Sequence, residues 1–169
     1  MIVLVSGPPG SGKTTLARQL APRLGLLLIA KDDIKETLFD SLGYSDREWS
    51  QTLGAATWDV LFMLLDRAVN ARAEAVFESN FHTEHRDRIA ALDATVVEVH
   101  CIASADTLVR RIRERERHPG HVDDSIEFDG EALLERHRPI ADRVIRVDTE
   151  DRSAIDVDGI VRQIREAAT

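Results

Sequence analysis

Residues 7 to 14 read Gly7-Pro8-Pro9-Gly10-Ser11-Gly12-Lys13-Thr14 and closely follow the apolar, β-branched run Ile2 to Val5. That run is typical of a buried strand, and the residues from Lys13 to Leu24 have the pattern of a helix. A G-x-x-x-x-G-K-[ST] sequence between a strand and a helix indicates a phosphate-binding loop. Backbone N–H groups of such a loop, together with the positive end of the helix, surround phosphate oxygens.

The loop predicts a set of nucleotide-binding residues. Lys13 is expected to reach the β- and γ-phosphates, and the Thr14 hydroxyl is expected to ligate Mg2+. The alternative, a glycine-rich turn with an accidental lysine, is disfavoured because the whole motif and both flanking elements fit. The predicted nucleotide-binding residues are Gly7, Pro8, Pro9, Gly10, Ser11, Gly12, Lys13, Thr14 and Thr15.

The rest of the chain continues as alternating strands and helices. Further strands are predicted at 26–30, 75–78, 94–103 and 144–147. Helices are predicted from 32 or 33 to 42, at 46–72, 83–92, 105–117 and 130–137, and at the C-terminus. This alternation implies right-handed crossovers and a parallel sheet with helices on both faces. We therefore predict an α/β P-loop NTPase fold, a three-layer sandwich in one domain over residues 1–169.

Composition narrows the class of protein. The 169 residues include 22 basic and 30 acidic side chains, a formal net charge of −8. This charge disfavours nucleic acid and anionic membranes as partners. The single cysteine, Cys101, excludes an intramolecular disulfide, and no signal peptide or membrane span is apparent. We expect a soluble, cytoplasmic protein of unknown oligomeric state.

Candidate acceptor-binding residues follow the second predicted strand. Asp32 lies where the carboxyl end of that strand meets the phosphates, and there a carboxylate can take a proton from an acceptor hydroxyl. Lys35, about one helical turn later, can hold the acceptor or steady developing charge. The alternative is that Asp32 and Asp33 only cap the next helix.

The third strand ends at Glu78, where P-loop proteins carry a carboxylate that holds Mg2+ through water. Aspartate is the usual residue there. Glu78 is therefore predicted either to hold the metal with Thr14 or to serve the acceptor, with a solvated strand end as the remaining alternative.

Five arginines lie between positions 110 and 117. On a continuous helix, Arg111 and Arg115 are one turn apart and can close over the transferred phosphoryl group as a lid spanning about 110–130. The alternative is a solvated helix with Arg/Glu pairs, and for Arg117 taken singly that alternative is preferred. The histidines and acidic residues at 118–130 predict a mobile surface loop and match no zinc pattern.

These stretches together resemble the P-loop kinase group that includes the 5′-hydroxyl kinase domain of phage polynucleotide kinases, chloramphenicol phosphotransferases and zeta toxins. The segment Asp32-Asp33-Ile34-Lys35 resembles the general-base motif of that group, and residues 78–86 resemble its third-strand segment. The chain departs from the group at Glu78, in place of aspartate, and at Lys35, where polynucleotide kinases have arginine.

The resemblance implies an adenylate-kinase-like sheet in the order 2-3-1-4-5, with the adenine contacted near residues 146–152. It also implies ATP and Mg2+ as cofactors and a hydroxyl group as acceptor, with Lys13, Asp32, Lys35, Arg111 and Arg115 as catalytic residues. The departures at Glu78 and Lys35 and the net charge of −8 favour a small molecule as that acceptor. Two other functions stay open: a non-catalytic ATP-binding regulatory module and a polynucleotide 5′-hydroxyl kinase, which the acidic surface disfavours.

Overall fold

The computed structural model describes residues 1–121 and 129–168. Within them, five parallel strands form one sheet in the order β2-β3-β1-β4-β5. The strands are β1 Ile2–Ser6, β2 Leu27–Ala30, β3 Ala75–Glu78, β4 Val96–Ile102 and β5 Arg143–Asp148. The α/β class and the strand order predicted above are confirmed.

Helices cover both faces of this sheet. The α-helices are α1 Lys13–Leu24, α2 Lys31–Leu42, α3 Arg47–Asn70, α4 Arg86–Ala90, α5 Ala105–Glu114, α6 Gly130–Arg136 and α7 Val157–Ala168. Short 3-10 helices lie at Thr83–His85 and Arg152–Ala154. Side chains alternate along a strand, so Val3 and Val5 pack with α1 and α7, while Ile2 and Leu4 pack with α3 and α4.

Three predicted boundaries are wrong in ways that matter for the site. Helix α2 begins at Lys31 directly after β2, and its N-cap is Ala30 with no side-chain cap, so Asp32 does not cap it. The predicted helix at 83–92 is a 3-10 turn followed by α4. Helix α5 ends at Glu114, and Arg115 is extended, because the following residues pack against α2 rather than continuing the helix.

A buried carboxylate, Glu98, joins the end of β1 to the segment before β5. Its Oε1 accepts a hydrogen bond from the Ser6 hydroxyl, and its Oε2 accepts the backbone N–H groups of Ile140 and Ala141, both at 2.7 Å. His100 Nδ1 lies 2.8 Å from the Ser6 hydroxyl. Burial raises the pKa of Glu98, but its hydrogen bonds outweigh burial and lower that pKa below the ordinary value. Ser6, the residue before the phosphate-binding loop, is therefore connected through Glu98 to the segment that leads into the edge strand β5.

No helix in the described part of the chain is both long enough and apolar enough to cross a membrane. The predicted lid includes residues 122–128, which lie outside the described residues. The assignment of residues 1–169 to one domain stays a prediction.

Candidate active site

The loop between β1 and α1 packs tightly against β4. Gly7 has a φ of 137°, and a Cβ at this position would lie 2.4 Å from the Cys101 carbonyl oxygen, so only glycine fits. Helix α1 follows Gly12 without a side-chain cap. Its first N–H groups are therefore available for an anionic ligand, as expected for a phosphate site. Lys13 is 9% exposed at this helix start.

Glu78 lies at the carboxyl end of β3, beside the loop. It is 2% exposed, one carboxylate oxygen is 4.0 Å from Lys13 Nζ, and the Thr14 side chain lies beside it. Burial raises the pKa of Glu78, although Lys13 and Thr14 act in the opposite direction. Its Oε2 has no hydrogen-bond partner among the described residues. A buried, unsatisfied carboxylate oxygen next to a threonine hydroxyl fits the oxygen ligands that Mg2+ prefers.

Asp32 and Lys13 line a cavity of about 150 Å3 in front of the loop. Its lining combines the phosphate-binding loop with the start of α1, helix α2, the loop after β3 and the segment after α5: Pro9, Lys13, Lys31, Asp32, Lys35, Asn80, Arg115, Arg117 and His121. The cavity therefore brings together the predicted residues Lys13, Asp32, Lys35 and Arg115. It is also strongly charged, which suits a site that receives a phosphoryl group.

The charge of Asp32 is held by its cationic neighbours. Arg117 donates a hydrogen bond of 2.8 Å to Asp32 Oδ2, and Lys31 Nζ is 3.9 Å from Oδ1. Burial raises the pKa of Asp32, but Arg117, Lys31 and Lys13 outweigh it and lower that pKa to about 2. Asp32 is therefore ionised at neutral pH.

Two lysines of α2 have different surroundings. Lys35 Nζ donates a 3.1 Å hydrogen bond to Ser50 Oγ, which connects α2 to α3. Lys31 is 8% exposed, and its ammonium lies 5.1 Å from the centre of the Trp58 ring. Burial lowers the pKa of Lys31, against the opposing charge of Asp32.

The arginines after position 110 do not form one helical face, which corrects the prediction for Arg111 and Arg115. Arg111 lies on α5 and donates hydrogen bonds to the carbonyl oxygens of Gly10, Thr149 and Glu150 at 3.5, 2.8 and 3.1 Å. Arg115 lies beyond the helix end, in the wall of the Asp32 cavity. The two guanidinium groups therefore approach the loop from different directions.

Residues 117–121 dock on α2 through acid–base pairs and ring contacts. His121 Nε2 is 3.1 Å from Glu36, and His118 Nε2 is 3.1 Å from Asp40. His118 also stacks on Phe39, with ring centroids 5.3 Å apart. Asp32, Glu36 and Asp40 recur every four residues and so share one face of α2. The docked segment holds Arg117 against Asp32.

Gly120 is needed for this docking because a Cβ there would lie 2.5 Å from the Phe39 ring. Gly120→Ala is expected to lower the free energy of unfolding by roughly 1–3 kcal/mol through overpacking. Gly54→Ala is the matched control. It is helical, its Cβ would meet Lys35 only at ordinary contact distance, and it should stabilise by up to roughly 1 kcal/mol. Urea unfolding of both variants measures the difference, and a Gly120→Ala protein as stable as wild type would contradict the docking.

A second, smaller cleft of about 70 Å3 lies on the other side of the loop. It is lined by Gly12, Thr15, Leu16, Gln19, Thr149, Arg152, Ile155 and Val157. The range 146–152 predicted to contact adenine contributes two of these residues, Thr149 and Arg152. Apolar walls beside a planar guanidinium suit a nucleobase.

Sequence reasoning missed several residues at the site. Lys31 and His121 had been given no role, and Arg117 had been assigned to a solvated helix. No glycine or proline precedes Pro119 in this stretch, so nothing in the sequence marks the end of α5 at Glu114. His137, the residue after α6, was also missed, and its 3% exposure arises from packing that the sequence does not reveal.

Comparison with known proteins agrees with this geometry. A family model of the AAA domain, AAA_33, matches residues 2–140. Adenylate kinase from Micrococcus luteus is 30% identical over 169 residues, which cover 93% of this chain and 82% of that protein.

Solved structures give the same result. A candidate kinase from Chloroflexus aurantiacus J-10-fl has a TM-score of 0.89 and 35% identity, with 99% of this chain and 98% of that chain covered. A sugar kinase from Janibacter sp. HTCC2649 has a TM-score of 0.65 and 20% identity over 99% of this chain and 98% of that chain, a likeness of fold alone. The AAA_33 model spans most of the chain, and the two relatives of at least 30% identity named above are kinases, so this protein belongs to the AAA_33 family and is a P-loop kinase.

Proposed function

We propose that this kinase uses ATP and Mg2+ to phosphorylate a hydroxyl group of a small molecule. The observation that carries the proposal is the cavity in which the Asp32 carboxylate faces the same space as Lys13. A hydroxyl acceptor must lose a proton during the reaction, and a carboxylate beside the γ-phosphate can receive it. The proposed reaction is of the same type as that of the alcohol-phosphorylating group that the sequence resembles.

Four residues have separate roles in the proposed phosphoryl transfer. The acceptor oxygen forms a bond to the γ-phosphorus while the bond from phosphorus to the ADP oxygen breaks, and ADP keeps the electron pair. Asp32 takes the acceptor proton, and Lys13 neutralises charge on the β- and γ-phosphates. Thr14 and Glu78 would hold Mg2+, whose charge offsets that of the phosphate oxygens.

The arginines and Lys35 have supporting roles in this proposal. The γ-phosphate competes with Asp32 for Arg117, and the pKa of Asp32 rises as that guanidinium moves away. Arg115 stabilises the transferred group, while Arg111 fixes the backbone around Gly10. Lys35 orients the acceptor from α2. The cleft beside Arg152 receives the adenine.

A second candidate, a nucleoside monophosphate kinase, is favoured by the 30% identity to an adenylate kinase. Its acceptor would be a phosphate, which is already ionised at neutral pH and needs no base. The Asp32 carboxylate would also repel that phosphate. The hydroxyl acceptor is therefore the better fit to the cavity.

An acceptor screen distinguishes these functions. The purified protein is incubated with ATP, Mg2+ and one compound at a time: D-gluconate, D-ribose, shikimate, chloramphenicol, AMP or CMP. We expect ADP release that depends on a hydroxyl compound, with a phosphate monoester as product in phosphorus NMR. Phosphorylation of AMP or CMP alone would establish the second candidate. ATP binding without turnover of any compound would indicate the regulatory module.

A further inference from the structure

His137 is a buried histidine with one unused ring nitrogen. It is 3% exposed, and its Nδ1 donates a 2.7 Å hydrogen bond to the Leu133 carbonyl oxygen. Burial and the charges of His82 and Lys13 lower the pKa of His137 to about 4, so the ring is neutral. Its Nε2 lone pair has no hydrogen-bond partner among the described residues. Buried acceptors without partners are rare in folded proteins and call for an explanation.

The position of His137 suggests what its partner is. Its ring lies edge-on to His82, with centroids 5.1 Å apart, on the loop that also carries Asn80. His82 in turn contacts Trp58 at 5.7 Å, and the Lys31 ammonium lies over that same tryptophan. These contacts connect His137 to Lys31, which lines the Asp32 cavity. The His137 ring therefore lies on the side of the cavity where the acceptor is proposed to bind.

A metal ion bound by His82, Glu84 and His85 is a poor explanation for this group of side chains. One ligand atom each from His82, Glu84 and His85 could meet at an ion. However, His85 Nδ1 already accepts the His82 backbone N–H at 3.1 Å, which puts the proton of the neutral ring on Nε2. His85 Nε2 lies 3.9 Å from the Glu84 carboxylate. A protonated nitrogen cannot ligate a metal, but it can donate to an oxygen.

We propose that His137 Nε2 accepts a hydrogen bond from a second hydroxyl of the acceptor, while the first hydroxyl is phosphorylated beside Asp32. The inference rests on the proposed function and makes it narrower. The acceptor is a small molecule with at least two hydroxyl groups, and its ring or chain packs near Trp58. A phosphate dianion has no proton to donate and does not satisfy this nitrogen.

The test compares His137→Phe with His137→Gln. Phenylalanine keeps the ring but removes the lone pair, and the Leu133 carbonyl keeps its bond from the His137 backbone N–H. We expect His137→Phe to raise the acceptor KM at least tenfold, equal to about 1.4 kcal/mol, with the ATP KM and Tm not worsened. His137→Gln should recover part of the loss. Arg136→Gln, an exposed change on the same helix, is the matched control and should behave like wild type.

A cycle with a deoxy acceptor isolates the contact. Removing the second hydroxyl should raise the KM of the wild type to that of His137→Phe, and the variant should not distinguish the two compounds. An unchanged acceptor KM in His137→Phe, or equal losses for ATP and acceptor, would overturn the proposal.

Nitrogen NMR of the histidine rings decides the question without turnover. The ATP analogue AMP-PNP, Mg2+ and each compound of the acceptor screen are added in turn. A shift of His137 Nε2 with D-gluconate, D-ribose, shikimate or chloramphenicol supports the inference. A shift with AMP or CMP alone, whose ribose also carries hydroxyl groups, or with none of the compounds, overturns it. Absence of turnover together with such a shift would count against the proposed function alone.

Discussion

Asp32→Asn is expected to lower acceptor phosphorylation roughly 10²- to 10⁴-fold, the usual contribution of a general base, without weakening ATP binding. Asparagine keeps the size of the side chain but cannot take the acceptor proton. The loss should appear in kcat and in kcat/KM for the acceptor, because the interaction is made in the transition state. Steady-state kinetics with the acceptor found by the screen measures both constants.

Asp33→Asn is the matched control for this variant. Asp33 is the next residue along α2, is exposed, and pairs with Arg18 at 3.0 Å on the outside of the helix. Its replacement should leave kcat nearly unchanged, since exposed ion pairs contribute little. Equal losses in the two variants would contradict the base assignment, and so would an Asp32→Asn protein with full activity.

The pH dependence of the wild type adds a check. The pKa of Asp32 is lowered to about 2, so the carboxylate is ionised from neutral pH down to strongly acidic solution. Since kcat/KM reports the pKa values of the free enzyme, Asp32 should cause no loss of kcat/KM above about pH 4. An acid limb near pH 6 that disappears in Asp32→Asn would show that Arg117 does not hold this carboxylate in solution.

Glu98→Ala is expected to lower the free energy of unfolding by roughly 3–5 kcal/mol, as removal of a buried, fully bonded charge usually does. The variant leaves a cavity and removes the acceptor for the Ser6 hydroxyl and for the two backbone N–H groups of Ile140 and Ala141. Such a loss is a large fraction of the stability of a typical domain. Urea unfolding followed by circular dichroism measures it.

Two further variants, Glu98→Gln and Glu114→Ala, separate the effect of the buried carboxylate from that of losing any glutamate. The glutamine oxygen can accept the two backbone N–H groups, and its amide can donate to Ser6, so we expect roughly 1–2 kcal/mol of destabilisation. Glu114 is exposed and pairs with Arg110 at 3.4 Å, so its removal should change stability by less than about 1 kcal/mol. Similar losses in all three variants would refute the role of the buried carboxylate.

The sign of the pH effect follows from the lowered pKa of folded Glu98. Its stabilising contribution is complete above the ordinary pKa of 4.5 and is lost as the pH falls through the lower folded value. The difference in stability between wild type and Glu98→Ala should therefore shrink below pH 4.5. A difference that stays constant down to pH 2 would indicate that only packing is lost.

The fold was predictable because its signals are local. The glycine loop, the apolar strands and the periodic helices each occupy a continuous stretch, and the connection rules for parallel strands arrange them. Gly7 to Thr14 specified the phosphate site for the same reason. Asp32 and Glu78 could be placed at one edge of the sheet because Asp32 closely follows β2 and Glu78 ends the neighbouring strand β3.

The arginines and His137 were harder to predict because their places depend on long-range packing. Phe39 on α2 stacks with His118 and leaves room only for glycine at position 120. Because of this packing, the arginine run does not continue as a helix, although its sequence pattern is helical. His137, at the end of α6, is buried where it contacts His82 in the loop after β3. No local sequence pattern predicts that contact. Tertiary contacts of this kind decide which charged residues enter the site.

No loop separates β2 from α2, and this direct junction fixes the backbone position of Asp32 before any ligand binds. Lys31 is the first residue of α2 and Ala30 the last of β2, so Asp32 stands on a junction that is hydrogen-bonded on both sides. The backbone of Asp32 cannot move toward or away from the phosphate-binding loop without breaking hydrogen bonds of the sheet or the helix. In the mechanism proposed above, the reorganisation before each turnover therefore falls on the arginine side, where Arg117 must leave Asp32 to reach the γ-phosphate.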